Sequence, residues 1–308
     1  MLQETTLFGD VDKVETAIER LRAFAGSAAR NHPNGYVVCD SGGKDSTVIK
    51  ELALLAGVPF EVLHDHTTAD HPETVYFVRR EKARYAALGI TYTISYPTYK
   101  GQPTSIWALI PYKCAPTRLH RWCCDIFKEH GGWGRFCVTG VRWSESVMRK
   151  ARRATYEVPT RTGADRIRLN NDNDARRRLT ELCMAKDKLV VNPIIDWSDE
   201  EVWEFIRSRD LPYNPLYDQG YSRVGCVGCP MSARRFQELA ALPKFEQMYR
   251  RAFQKYVDRK LAKDGGCAWP DGDALFDWWI SGKPMTRVDE DQLRLAWPDD
   301  EEEQDAEG

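Results

Sequence analysis

Apolar positions from residue 11 to 25 fall at Val11, Val14, Ile18, Leu21 and Ala25, the spacing of a helix with one buried face. Tyr36-Val37-Val38-Cys39-Asp40 follows as a short continuous apolar run, the pattern of a buried strand, and Ser41-Gly42-Gly43 breaks it. A helix is predicted from about Lys44 to Leu55, ended by Gly57 and Pro59. Phe60–His64 reads as a second strand, Thr74–Leu88 as a helix stopped by Gly89, and Ile90–Ser95 and Phe136–Gly140 as further strands. Such alternation predicts βαβ units and a doubly wound, mostly parallel α/β sheet, whose ligands bind beyond the carboxyl ends of the strands.

After Val147 the pattern changes. Residues 149–178 are basic and poor in large apolar side chains, which predicts a surface insertion or mobile loop. Ser198-Asp199-Glu200-Glu201 is a capping box opening a helix that turns Val202, Phe205 and Ile206 inward. Leu211–Pro230, with Pro212, Pro215, Gly220, Gly225 and Gly228, reads as loop. Ala233–Lys263 and Ala274–Ser281 read as helices of a C-terminal extension.

The loop after the first strand carries the strongest chemical signal. In Ser41-Gly42-Gly43-Lys44-Asp45-Ser46-Thr47 the glycines let backbone N–H groups approach an anion, and the helix that follows adds its partial positive charge. Lys44 brings a full charge, Ser41, Ser46 and Thr47 bring hydroxyls, and Asp45 is placed to hold Mg²⁺ against phosphates. The spacing is not G-x-x-x-x-G-K-[ST], so a switch-type nucleotide hydrolase is not implied. Arg142 suits a phosphate through its bidentate fork, or pairs on the surface with Glu145. Glu73 either orients an attacking group, binds metal or caps its helix; His64 and His66 flank Asp65 at a strand end.

Nine cysteines are many for a chain with no run of about 18 apolar residues and no apolar stretch near Met1, features expected of a cytoplasmic protein. Thiols there favour metal or chemistry over disulfides. Cys226-Val227-Gly228-Cys229, in a Gly-rich loop before Pro230, is a recurrent metal–thiolate element, and Cys123-Cys124 lies a hundred residues earlier. Adjacent cysteines suit a [4Fe–4S] cubane, with Cys₄ zinc, a three-cysteine cluster and a persulfide-carrying pair as alternatives.

Ser41–Ser46 resembles the pyrophosphate loop of the adenine nucleotide alpha-hydrolase superfamily, of HUP-type fold. His71-Pro72-Glu73-Thr74 is similar to that group's Pro-Glu-Thr element. Gly140-Val141-Arg142-Trp143-Ser144-Glu145-Ser146 resembles its Gly-x-Arg-x-x-Glu-Ser element, which lines the nucleotide site. Asn192–Trp203 with Leu211–Gly220 resembles the phosphoadenosine phosphosulfate reductase family, and the Cys-Cys … Cys-x-x-Cys order resembles the cluster ligation of assimilatory adenylylsulfate reductases. The resemblance implies a nucleotide-binding α/β domain with an iron–sulfur site over residues 31–232, between an N-terminal helix (1–30) and a helical C-terminal region (233–297), with an acidic tail (298–308). It implies ATP and Mg²⁺ held by Ser41, Gly42, Gly43, Lys44, Asp45, Ser46, Gly140, Arg142 and Glu145. Lys44, Asp45, Glu73 and Arg142 are implied to serve the reaction, and Cys123, Cys124, Cys226 and Cys229 to ligate the cluster.

Two departures separate the chain from the reductases. Its phosphate loop is intact, as in ATP-using members. Its last cysteine, in Gly265-Gly266-Cys267-Ala268-Trp269, does not match their Glu-Cys-Gly-Leu-His nucleophile. The resemblance is therefore strongest to the sulfur-inserting ATP pyrophosphatases of DNA phosphorothioation, of Dnd and Ssp type. These would adenylylate a target oxygen and admit sulfur from a cysteine desulfurase or other donor. A sulfonucleotide reductase and a nucleotide-sensing DNA-binding module are the alternatives. Charge agrees with a nucleic-acid partner. The net charge of −2 includes seven acids in Asp299–Glu307, without which the remainder carries +5, and Arg142–Arg178 holds eleven basic residues against five acidic. Trp122, Trp133 and Trp143 are candidates to stack a base. No membrane partner is expected; assembly as a homo-oligomer is admitted.

Overall fold

The computed structural model describes residues 2–6, 9–128, 131–145, 154–159, 166–169 and 189–283. The chain forms two compact units, each assembled from two stretches: residues 1–98 with 127–226, and residues 99–126 with 227–308. The N-terminal segment belongs to the first unit, and residues 99–126 belong with the C-terminal helices.

The first unit opens with a hairpin, β1 (Gln3–Thr6) and β2 (Gly9–Asp12), and helix α1 (Lys13–Asn31). Val11 lies in β2 and is exposed; α1 begins after it because the Asp12 carboxylate accepts from the N–H groups of Val14 and Glu15. The βαβ expectation holds from there: β3 (Tyr36–Cys39), α2 (Lys44–Ala56), β4 (Phe60–Asp65), α3 (Pro72–Ala87) and β5 (Tyr92–Ser95) alternate. Two short strands, β6 (Thr98–Tyr99) and β7 (Gln102–Pro103), follow. The main sheet gains β8 (Phe136–Val138), β9 (Tyr156–Pro159), β10 (Arg166–Leu169) and β11 (Leu189–Val191).

Its order is β10-β9-β11-β8-β3-β4-β5, with the run from β11 to β5 parallel and β9 and β10 antiparallel at one edge. The sheet is thus doubly wound and mostly parallel. From β3 the chain proceeds to β4 on one side, and later returns to β8 on the other. That reversal is the switch point where such sheets bind ligands. The insertion expected over 149–178 is in part a regular ribbon, since β9 and β10 pair and continue the sheet; apart from Ala154 and Thr155 the rest of that segment lies outside the described residues, as do the acidic tail and Ser146.

Fully buried Leu21, Phe24, Tyr36, Val38, Ile49, Leu52, Val62, Val138, Val191 and Trp197 form the core between α1, α2, the sheet and α6 (Asp199–Ser208). Helix α6 carries the expected box: the Ser198 hydroxyl accepts from Glu201 N–H (3.2 Å), and the Glu201 carboxylate accepts from Ser198 N–H (2.6 Å).

In the second unit α4 (Ile106–Lys113), α7 (Arg235–Ala241), α8 (Pro243–Asp264) and α9 (Gly272–Ser281) pack about a core of Tyr249, Phe253, Phe276 and Trp279, with the Tyr249 and Trp279 rings 4.8 Å apart, and the short helix α5 (Trp122–Lys128) runs across the boundary between stretches 99–126 and 127–226. The single helix expected over 233–263 is two. Pro243 has no N–H to continue the ladder and pushes Leu242 out of helical geometry (φ −124°, ψ 65°), so a second helix starts with proline in its first turn. No helix among the described residues is long and apolar enough to cross a membrane.

Candidate functional site

Strand β3 runs directly into Asp40, which is buried and fixes the loop behind it. One carboxylate oxygen accepts from Gly42 N–H (2.7 Å) and from the Ser46 hydroxyl (2.8 Å). The other accepts from Lys50 (2.5 Å) and from the Tyr92 hydroxyl (2.6 Å). Burial acts to raise this carboxyl's pKa, but the Lys50 ammonium and the hydrogen bonds outweigh it and hold the group far below the usual carboxylate range. From the other side Asn214 donates to the Gly42 carbonyl (3.1 Å) and to the Thr74 hydroxyl (3.0 Å). Gly42 is required here: its φ is +71°, and a Cβ would stand 2.7 Å from the Thr74 methyl.

The loop leaves the start of α2 open. Its N-cap is Gly43, which supplies no side-chain acceptor, so the first-turn N–H groups of Asp45 and Ser46 have no intrahelical partner. Tyr217 accepts from Lys44 N–H at 2.9 Å, and its hydroxyl pKa is raised, chiefly by burial. The Ser46 and Thr47 hydroxyls turn inward, Thr47 to the Gly43 carbonyl at 3.3 Å, which leaves Ser41 as the exposed hydroxyl of the loop.

Beyond β8, the neighbouring strand, Gly140 brings the chain against α2, and a Cβ on it would stand 3.0 Å from the Asp45 backbone. Arg142 is thereby delivered to the loop. Its guanidinium is 2% exposed and donates to Asp45 (2.7 Å), Asp199 (2.8 Å) and Ser144 (2.8 Å). Lys44 lies 3.0 Å from the same Asp199 carboxylate and 3.4 Å from Asp45. Partial burial acts to raise the Asp199 carboxyl's pKa, but Lys44 and Arg142 prevail and lower it. Glu145 turns back to accept from Arg142 N–H (3.1 Å), closing its own turn.

Two cations and two carboxylates therefore meet at an uncapped helix N-terminus on the sheet's switch point, with Lys44, Asp45 and Arg142 from the expected set. Glu73 is not joined to them. It sits in the first turn of α3, where an acid complements the helix dipole, and its carboxylate has no hydrogen-bond or ion-pair partner among the described residues. Asp199, Tyr217, Asn214 and Asp40 are the residues sequence reasoning missed. Asp199 read as a capping-box member, Asn214 and Tyr217 as loop, and Asp40 as the end of a strand.

Of the cysteines, Cys123, Cys124 and Cys229 belong to the second unit and Cys226 to the first. Arg121 donates to Cys124 Sγ at 3.1 Å, and its own pKa is raised, first by that bond and with smaller contributions from Cys123 and Cys229. These three thiols are half-buried, a donor type that suits a thiolate-ligated metal or cluster, but among the described residues no group of three or more metal-capable donor atoms within 4.8 Å of one another includes a cysteine. Trp122 is structural rather than a stacking surface, being buried with its indole N–H donated to the Cys114 carbonyl at 3.2 Å.

A doubly wound sheet with such a loop at its switch point defines a nucleotide-binding α/β protein. Residues 35–232 match the phosphoadenosine phosphosulfate reductase domain, and the chain belongs to that family. It is 27% identical over 221 residues to an uncharacterized protein of Methanocaldococcus jannaschii; the match covers 71% of this chain but 46% of that protein, so the chain spans about half the length of that relative. It is also 27% identical over 207 residues to an adenosine 5′-phosphosulfate reductase of Staphylococcus epidermidis, covering 66% of this chain and 73% of that one. Among solved structures, a phosphoadenylyl-sulfate reductase of Candida auris, in a phosphate complex, matches with a TM-score of 0.41 at 19% identity, covering 68% of this chain and 88% of that one.

Proposed function

We propose that the chain is an ATP pyrophosphatase that adenylylates a target oxygen so that sulfur can replace it, in the phosphorothioate modification of DNA. The observation that carries this reading is the intact loop: an uncapped helix N-terminus faced by Lys44 and Arg142 is built for a polyphosphate. In the reaction a target oxygen attacks the α-phosphorus of ATP and pyrophosphate leaves into the loop. Backbone N–H groups of α2, Lys44 and Arg142 stabilise the negative charge gathering on the leaving group, by position and electrostatics rather than by covalent participation. Within the site the two cations are already paired with Asp45 and Asp199, so a triphosphate brings charge that a further cation would offset. Mg²⁺ would supply that charge, with Asp45 the carboxylate placed to hold it.

A cluster held by thiolates such as Cys123, Cys124 and Cys229 would supply electron transfer or a site for sulfur. Arg121 offsets the charge of the thiolates that would hold it. The basic 149–178 stretch offers phosphate contacts to DNA, which predicts binding that weakens with salt. The purified full-length protein, prepared without oxygen, should release pyrophosphate from ATP, faster when DNA is added. Failure to release any under those conditions sinks the proposal.

The names of the relatives favour a second reading, reduction of adenylylsulfate to sulfite. That reading needs a nucleophilic thiol, for which Cys267, close to Cys114 and Tyr256, is the C-terminal candidate. Cys267→Ser abolishes sulfite release if the chain is a reductase and leaves pyrophosphate release intact if it is not.

A further inference from the structure

Strand β4 ends in a second polar group, distinct from the phosphate loop. His64 is 3% exposed, and its Nδ1 lies 2.8 Å from the Asp40 carbonyl oxygen. A carbonyl can only accept, so Nδ1 carries a proton, and in the neutral imidazole Nε2 keeps the lone pair that a ligand needs. Two residues on, His66 Nδ1 lies 2.9 Å from Asp70 Oδ2. Asp70 is in turn held by Thr67, whose N–H donates to Oδ2 (2.7 Å) and whose hydroxyl donates to Oδ1 (2.8 Å). The turn between them is tight enough to hold Thr68, a β-branched residue, at φ +66°.

One donor atom from each of His64, His66 and Asp70 lies within 4.8 Å of the others. We infer that these three residues bind a divalent first-row metal ion, Zn²⁺ in the first instance, with at least one coordination position left open. Two imidazoles and a carboxylate are the donor set of three-ligand sites for such ions. Ligand histidines typically give their other ring nitrogen to a carbonyl, and ligand carboxylates are themselves hydrogen-bonded; His64 and Asp70 show both arrangements. The Asp40 carbonyl that orients His64 belongs to the residue whose carboxylate fixes Gly42 and Ser46, so an ion here steadies the strand end from which the phosphate loop departs.

The test is equilibrium dialysis of the metal-free full-length protein against Zn²⁺, with bound zinc counted per chain, repeated for His66→Ala and Asp70→Asn. Thiol-bound zinc is common to all three proteins, so the site appears as a difference. Each variant is expected to bind one zinc fewer, or to bind it at least about tenfold more weakly. Asp70→Asn keeps the size of the side chain and an acceptor for Thr67, so it reports on the ion even if His66→Ala unfolds, which circular dichroism detects. Equal zinc content and affinity in the wild type and the folded variants overturns the inference and leaves His66 and Asp70 as an ion pair only. The result is independent of ATP turnover, so this inference and the proposed activity stand or fall separately.

Discussion

Lys44 and Lys50 lie on one helix, six residues apart, and both are buried, yet they sit in opposite kinds of electrostatic environment. Lys50 is closed in. It is wholly inaccessible, bonded to Asp40 (2.5 Å) and Glu81 (2.9 Å), and Glu81 is itself held by Arg84 at 2.9 and 3.0 Å. Lys44 is nearly inaccessible too, with 6% of its side chain exposed, but its partner is open. The carboxylate it shares with Arg142, that of Asp199, is half exposed. The inner group spends its charge on holding the loop, whereas the outer group offers its charge to whatever enters. The same residue type is structural in one place and available for binding in the other, and the partner's exposure decides which.

Removing the inner lysine is expected to have the largest effect. Lys50→Met leaves Asp40 and Glu81 buried without their shared cation, which costs about 3–5 kcal/mol. Urea unfolding followed by circular dichroism measures it, and a loss below about 1 kcal/mol, the range of exposed pairs, would erase the distinction drawn here. Lys44→Ala should do the reverse. Pyrophosphate release falls about 10²–10³-fold, as for the loss of one preorganised electrostatic contact. Unfolding changes by less than about 1 kcal/mol, because the pair it breaks is with an exposed carboxylate. If both variants lost activity only in proportion to folded protein, the outer group would have no role in binding charge.

The outer group was largely legible in the sequence because its members are either contiguous, as in Ser41–Ser46, or fixed by a short motif, as in Gly140–Arg142. The inner group was not. Asp40, Lys50, Glu81 and Tyr92 come from a strand end, two helices and a further strand, and a polar residue inside an amphipathic pattern carries no mark of which face buries it. Asp199 was hidden differently: its local role in the first turn of α6 was visible, while its contact with Lys44, 155 positions earlier, exists only once the sheet is formed. Strands β3, β4 and β5 were read from their apolar runs. Strand β11, three residues long, is too short for a pattern, and the ribbon β9–β10 sits in a segment whose charge suggested a loop.

Acidity probes the inner group again, with a smaller effect. The Asp40 carboxyl titrates below its unfolded value, so at intermediate pH the unfolded chain binds more protons than the folded one, and stability rises with pH. The contribution is complete above about pH 5 and is lost as pH falls through about 4 toward the lower folded value. Asp40→Asn should flatten the dependence of unfolding free energy on pH in that acid range. Parallel pH profiles for wild type and Asp40→Asn would contradict the assignment.

The smallest expected effect bears on what the open group is for. Asp199 accepts from both Lys44 and Arg142, the donors that a phosphate oxygen would use. An anion must therefore compete with this carboxylate for the same donors. Asp199→Asn keeps the size of the side chain and removes its charge, so inorganic pyrophosphate should bind more tightly. Exposed ion pairs are worth about 0.2–1 kcal/mol, which corresponds to a gain of up to about fivefold, shrinking as salt is added. Calorimetric titration without divalent metal measures it. Weaker binding in Asp199→Asn would mean that the carboxylate is needed to aim the guanidinium, and that Lys44 and Arg142, like Lys50, are held by their partners rather than lent to a ligand.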